Sequence, residues 1–346
     1  MKWTIMREWK IGAALAMLLA LFVAPPAHSQ SVEDFYTGKA LTLYIGFPAG
    51  GGYDLYGRLV ARHIGRFIPG EPTIVPVNME GAGSLRLMNW LYTAAPKDGT
   101  VFGTVNHGAP FVPLVGEEQF AQFDAREYSW LGSANEEVSV CVAWERTGIT
   151  EFEQLYEQEL IVGSTGPGAE EFILTKLVGT VLGARLRPIT GYAGSDEINF
   201  AIERGEVDGR CGWTWSSVKS TRQRWLDEGS INILLQIALR KHPDLPDVPL
   251  IMELVENEEQ REALQLYLVQ ASLGRPFLAP PQIPADRAAA LREAFDAMVA
   301  DPEFLDEAER LRLEINPVSA SQVEALLADA YSTPPHIVRR TQELLR

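Results

Sequence analysis

The chain alternates apolar and polar positions in short bursts separated by glycine and proline. Leu41, Leu43 and Ile45 recur with a period of two and predict a strand, which Pro48 ends because it has no N–H to give a ladder. Gly50, Gly51 and Gly52 follow as a turn, Asp54 is read as the N-cap of a helix, and helical spacing runs on to residue 67 before Pro69-Gly70. A second unit repeats the order: a strand over 73–77, small residues from Asn78 to Ser84, a helix over 85–94, and a strand over 100–105. Two strand–turn–helix units ending in a strand predict a parallel sheet, whose ligands sit beyond the C-terminal ends of the strands.

After an alternating strand at 138–142 the pattern restarts. Strands are predicted at 160–163, 186–190 and around Cys211, with helices over 170–182 and from 196 through 202. A strand over 231–238 and helices over 251–268, 286–300, 319–330 and 335–345 complete the reading, with a further helix begun by Asp301-Pro302. This is an α/β chain of two lobes, the size expected of 346 residues that are 46% apolar.

The N-terminus stands apart. Lys2, Arg7 and Lys10 precede an apolar run over 11–23 that is short for a membrane span, and a Pro-Pro-Ala exit follows. Residues 1–29 are therefore expected to be a cleaved signal peptide. The net charge is −16, and no basic stripe is present, so nucleic acid is not an expected partner. Cys141 and Cys211 are the only cysteines; two in an exported chain are either a disulfide or two buried thiols.

The glycine turn lacks the Gly-Lys-Ser/Thr of a nucleotide P-loop, and its contiguous glycines do not fit a dinucleotide fingerprint. It reads either as a tight turn or as an anion site at a helix N-terminus. Gly81-Ala-Gly-Ser84 offers the same chemistry with a hydroxyl on Ser84. Ser164-Thr-Gly-Pro-Gly168 and Tyr192-Ala-Gly-Ser195 are possible partners from the second lobe, or ordinary loops. Phe47, Tyr192, Trp213 and Trp215 are either core or pocket wall; a period of two along one strand would turn both tryptophans to the same side. Adjacent Glu170 and Glu171 diverge on a helix and read as solvated, and Arg58 reads as support for the turn. No Gly-x-Ser-x-Gly elbow and no metal-ligand spacing is present, so neither catalytic residue, cofactor nor metal is assigned.

Taken in order, these motifs resemble the periplasmic receptors of tripartite tricarboxylate transporters, the Bug-type solute-binding proteins. The resemblance is carried by Phe47-Pro-Ala-Gly-Gly-Gly-Tyr-Asp-Leu-Tyr-Gly-Arg58, Asn78-Met-Glu-Gly-Ala-Gly-Ser84 and Ala94-Ala-Pro-Lys-Asp-Gly99. Gly163 to Gly168, Tyr192 to Ser195, Gly205-Glu-Val-Asp208, Leu245-Pro-Asp-Val-Pro249 and Ala279-Pro-Pro-Gln-Ile-Pro284 follow in the same order. Ala193 stands where the family often has lysine, Ser84 replaces a glycine, and Thr100-Val101 replace Tyr-Thr.

The family implies a type II periplasmic-binding-protein fold, each lobe a mainly parallel sheet flanked by helices, with the ligand cleft between. Lobe 1 would comprise 30–131 and 235–346, and lobe 2 would comprise 132–234. The implied function is a non-enzymatic periplasmic receptor that delivers a small carboxylate (a dicarboxylate, an aromatic carboxylate or an amino acid) to membrane transporter subunits, acting as a monomer. An exported hydrolase or a receptor for a signalling partner is the alternative. The implied ligand residues are Phe47, Ala49, Gly50, Gly51, Gly52, Tyr53, Asp54, Ala82, Gly83, Ser84, His107, Ser164, Thr165, Gly166, Tyr192, Ser195, Trp213 and Trp215. The family topology also places Cys141 beside Cys211 on neighbouring strands and implies a disulfide.

Overall fold

A computed structural model describes residues 31–116, 118–166 and 169–345. The expected signal peptide lies outside the described residues, as do Pro167 and Gly168. Among the described residues no helix is long and apolar enough to cross a membrane.

Eleven strands are described: β1 Ala40–Ile45, β2 Thr73–Asn78, β3 Val101–Thr104, β4 Ser129–Ser133, β5 Ser139–Trp144, β6 Leu160–Gly163, β7 Leu186–Ile189, β8 Gly209–Thr214, β9 Ile231–Ile237, β10 Pro276–Ala279 and β11 Val318–Ser319. They form two sheets with the orders β11-β4-β10-β3-β1-β2 and β7-β6-β8-β5-β9. In the first, β1 runs parallel to β2 and β3, and β10 returns antiparallel to β3 and β4. In the second, β6 is parallel to β7 and β8, and β5 is antiparallel to β8 and β9. The first sheet thus draws strands from both ends of the chain, and the chain passes to the second sheet after β4 and leaves it after β9.

Burial explains the strand positions. β2 alternates exposed with half-buried residues and carries Pro76, as suits an edge strand. β3 and β10 are buried throughout, and their Phe102 and Phe277 pack with Leu41, Leu43, Tyr56 and Phe295 in one core. β8 is also buried along its whole length, and its partner across β5 brings Cys211 opposite Cys141, joined as a disulfide.

Two local expectations need correction. Asp54 is not the N-cap of the helix Gly52–His63; Gly51 is, in an extended conformation, and Asp54 sits in the first helical turn. Glycine lets the helix begin three residues earlier, and Asp54 reaches back instead to accept the Gly50 N–H at 3.0 Å. Trp213 and Trp215 do not share a face, because the strand ends between them. Thr214 caps a helix, Trp215–Asp227, so the second indole leaves the ladder and donates to Asp244 on the outer side.

Candidate ligand-binding site

A cavity of about 520 Å³ lies between the two sheets. Its walls are the segments that follow β1, β2, β3, β6 and β7, together with β8 itself, so it sits at the C-terminal edge of the parallel strands. Phe47, Ala49, Gly51, Gly52, Tyr53, Ala82, Gly83, Thr165, Gly166, Tyr192, Ser195 and Trp213 line it. Gly50, Asp54, Ser84, His107, Ser164 and Trp215 do not reach its surface.

The first turn is braced from behind. The Asp54 carboxylate holds the Gly50 amide, receives Arg58 Nε at 2.9 Å and Asn78 Nδ2 at 2.8 Å, and Asn78 also donates to the Phe47 carbonyl. Burial opposes the charge on Asp54, but Arg58, Asn78 and the Gly50 amide outweigh it and hold the carboxyl below its usual range. Arg58 therefore supports the turn. The Gly50 N–H is consumed in this brace, so the donors the turn presents are those at the head of the helix, the amides of Gly52 and Tyr53. First-turn amides have no partner within a helix, and the helix dipole favours an anion beside them. Above them the rings of Phe47 and Tyr53 stack at 4.4 Å.

The second turn is strained. Ala82 and Ser84 have φ of 47° and 74°, in the left-handed region that costs non-glycine residues about 1–3 kcal/mol each. Ser84 is fully buried; its hydroxyl donates to the Gly46 carbonyl and accepts the Asn106 amide, so it ties the turns after β1 and β3 together. The backbone of Ala82 and Gly83 is what faces the cavity.

Across the cleft, Thr165 gives its amide and hydroxyl to Glu171, at 2.9 and 2.7 Å. Ser164 is buried behind it. Glu170 and Glu171 are not solvated as expected, because the helix Glu170–Leu182 points its first turn into the cleft. Glu170 Oε1 lies 2.7 Å from His107 Nε2, and Asn106 Nδ2 donates to Oε2 at 3.2 Å. Burial works against the Glu170 charge, but His107, Asn106 and Arg275 prevail and keep its carboxyl below the usual range. On its other side His107 Nδ1 lies 3.0 Å from the Tyr53 hydroxyl. His107 thus links the first turn to the second sheet's helix and is itself fully buried.

Two arginines were passed over in the sequence. Arg275, fully buried at the base, faces Glu137 at 2.9 Å and lies within 2.9 Å of the hydroxyls of Thr214, Ser216 and Ser217. Its guanidinium also packs 4.2 Å from the centre of the Tyr53 ring. Arg210, on β8, lines the cleft and donates Nη2 to Ser195 Oγ at 3.0 Å, while Nε and Nη1 have no partner. Burial pulls Arg210 down to about 10. The available signal was a charged residue inside an otherwise apolar strand, which is costly unless something pairs with it.

Outside the cleft, His242, Asp244 and Glu314 have ligand atoms within 4.8 Å of one another. The Lys219 ammonium already sits among them, bonded to Asp244 at 2.6 Å and to Glu314. The cluster therefore has its own cation, which a metal would have to displace.

No protein-family model matches the chain, and no curated protein sequence matches it. Solved structures do. The periplasmic binding protein BugD superposes with a TM-score of 0.69 at 17% identity, over 89% of this chain and 98% of BugD. MatC (Rpa3494) from Rhodopseudomonas palustris with bound malate gives 0.66 at 16% identity, over 89% and 99%. R. palustris Rpa4515 with adipate gives 0.66 at 16%, over 88% and 97%. The chain has the two-lobed fold of the Bug and TctC-type periplasmic binding proteins.

Proposed function

We propose that the protein is a periplasmic solute-binding receptor that captures a small carboxylate in this cleft and delivers it to a tripartite tricarboxylate-type membrane transporter. One observation carries the reading: two turns from the first sheet, one heading a helix and one strained, face polar side chains of the second sheet across a single cavity. A carboxylate suits amides at a helix N-terminus, because charge-assisted hydrogen bonds there need no side-chain cation. MatC with malate and Rpa4515 with adipate, which share the fold, are consistent with that ligand class.

In this reading the segments 30–131 and 235–346 form the gripping lobe and 132–234 the closing lobe, and β9, which stays paired with β5 as far as Ile237, runs past the second boundary. The ligand residues are those of the sequence set that line the cavity, with Asp54, Ser84 and His107 holding them in place. Residues 1–29 direct export and are removed, and the monomer binds without catalysis. Binding shifts an open–closed population rather than driving a reaction.

The test is mass spectrometry of ligand released from the purified protein, then a thermal-shift screen of carboxylates. A carboxylate is expected to co-purify or to raise the melting temperature, with stoichiometric binding and no turnover. If no carboxylate does either, the reading fails; turnover of a bound ester or amide would favour the hydrolase alternative.

A further inference from the structure

Behind the cleft lies a second and larger cavity, of about 770 Å³. It shares no lining residue with the cleft. The buried pair of Glu137 and Arg275 stands between the two, with Glu137 facing this cavity and Arg275 the cleft. The cavity's walls come from both sides of the molecule. Glu314 follows Leu313, which packs with Leu41 and Leu43 in the core around the first sheet. His242 and Asp244 precede Leu245, which packs with Trp213 and Val218 around the second sheet. The cavity therefore changes width whenever the two sides rotate against each other.

At its edge the Glu314 carboxylate enters a site prepared by the opposite side. The Lys219 ammonium, on the helix Trp215–Asp227, bonds Glu314 and is held in place by Asp244 at 2.6 Å. Asp244 is steadied in turn by the Trp215 indole N–H at 3.2 Å. His242 Nδ1 accepts the Asp244 backbone amide at 3.0 Å, which leaves the ring proton on Nε2, 3.2 Å from Glu314 Oε1. These bonds leave neither imidazole nitrogen free for a metal. From its own side Glu314 is fixed by the Tyr56 hydroxyl, which donates to its backbone carbonyl at 2.7 Å. Burial opposes the charge on Glu314, but His242 and Lys219 prevail and keep its carboxyl below the usual range. One carboxylate from the first sheet's side is thus gripped by an ammonium and an imidazole N–H from the second's.

Resting on the receptor reading above, we propose that Glu314 and its Lys219–His242 site form a clasp of the shut conformation, which raises the affinity of the cleft without touching the ligand. Hydrogen bonds from His107 and Asn106 to Glu170 span the cleft in this same conformation, so the clasp is made while the cleft is shut. Opening changes the width of the rear cavity and draws Glu314 away from Lys219 and His242. A contact made in one conformation only shifts the population toward it, and a ligand that needs that conformation binds more tightly in proportion.

The experiment compares wild type with Glu314→Gln, Lys219→Met and the double variant, first without ligand by small-angle X-ray scattering. Each single variant is expected to show a larger radius of gyration than wild type. The double variant is expected to be no larger than the singles, because both residues act through one contact. Titration calorimetry then uses succinate, benzoate and glutamate, one probe for each class of carboxylate. The probe that wild type binds is expected to bind Glu314→Gln about 3–30-fold more weakly, between the effects of an exposed ion pair and a buried charge-assisted bond. At saturation the variant's scattering is expected to match that of liganded wild type, since the ligand shuts the cleft by itself. A merely structural role would lower the melting temperature and leave radius and affinity alone. An unchanged radius, an unchanged affinity, or single effects that add in the double variant overturns the clasp. Binding of none of the probes by wild type counts against the receptor reading instead, and the ligand-free scattering still decides the clasp.

Discussion

His107 Nε2 and Glu170 Oε1 lie 2.7 Å apart, and the bond between them joins the loop after β3 to the helix that packs on β8. It is a latch across the cleft, continued by Tyr53 on the far side of the imidazole. Glu170→Ala removes the carboxylate and leaves the ring without its partner, a loss of about 1.5–3 kcal/mol for a charge-assisted bond. The ligand-free variant is expected to show a larger radius of gyration in solution scattering than wild type. Identical scattering and an unchanged melting temperature would show that the latch contributes nothing.

Acid should act on the same bond. The carboxyls of Glu170 and Asp54 are held below their usual values of 4.5 and 3.8. A group depressed in the folded state contributes stability that is complete above its unfolded value and is lost as pH falls through the folded one. The melting temperature should therefore be flat down to about pH 5 and fall below about pH 4, less steeply in Glu170→Gln. A protein that melts higher at pH 3 than at pH 6 would contradict the sign.

Gly52 sits where the two lobes touch. A Cβ there would lie 2.1 Å from Ser217 Oγ and 3.1 Å from Arg275 Nη2. Helix propensity alone favours alanine by up to about 1 kcal/mol, but overpacking a tight contact costs about 1–3 kcal/mol. The clash is expected to win, so Gly52→Ala lowers the melting temperature and weakens ligand binding. Adding Ser217→Gly should restore much of the loss; if the double variant is no better than the single, the contact is not the cause.

Ion pairs in this protein should differ sharply in worth. Glu137 and Arg275 are both buried, and removing one partner leaves an uncompensated charge at a cost of about 3–5 kcal/mol. Arg187 and Glu159 are as close, at 2.8 Å, but half exposed, and such pairs contribute less than about 1 kcal/mol. Denaturant titration of Glu137→Ala and Glu159→Ala tests the ranking; equal losses would refute it.

Much of the architecture was readable because its elements carry local signals. Glu170–Leu182 begins and ends where an apolar helical face meets Gly183, and β1 shows its period of two directly. The helix Trp215–Asp227 was missed because its sequence is polar; its Ser216 and Ser217 are buried where Arg275 reaches them from the other lobe, and its Trp215 packs in the apolar cluster around Trp213 and Val218. Glu170 looked like a solvated helix residue until His107, 63 positions away, was seen to meet it. The glycine turns declared themselves as backbone features. The charged groups around them depend on contacts between lobes, which no local pattern records.

Arg275 touches both halves of the protein: it immediately precedes β10 of the first sheet, and its guanidinium is surrounded by Thr214 of β8 and by Ser216 and Ser217 of the helix that follows it. Contacts separate in proportion to their distance from the axis about which two bodies turn. Any opening that keeps this guanidinium paired must pivot close to it, so that the arginine serves as the bearing of the jaw. Substitutions that loosen it would then disturb the path of closure itself, and not merely the end state.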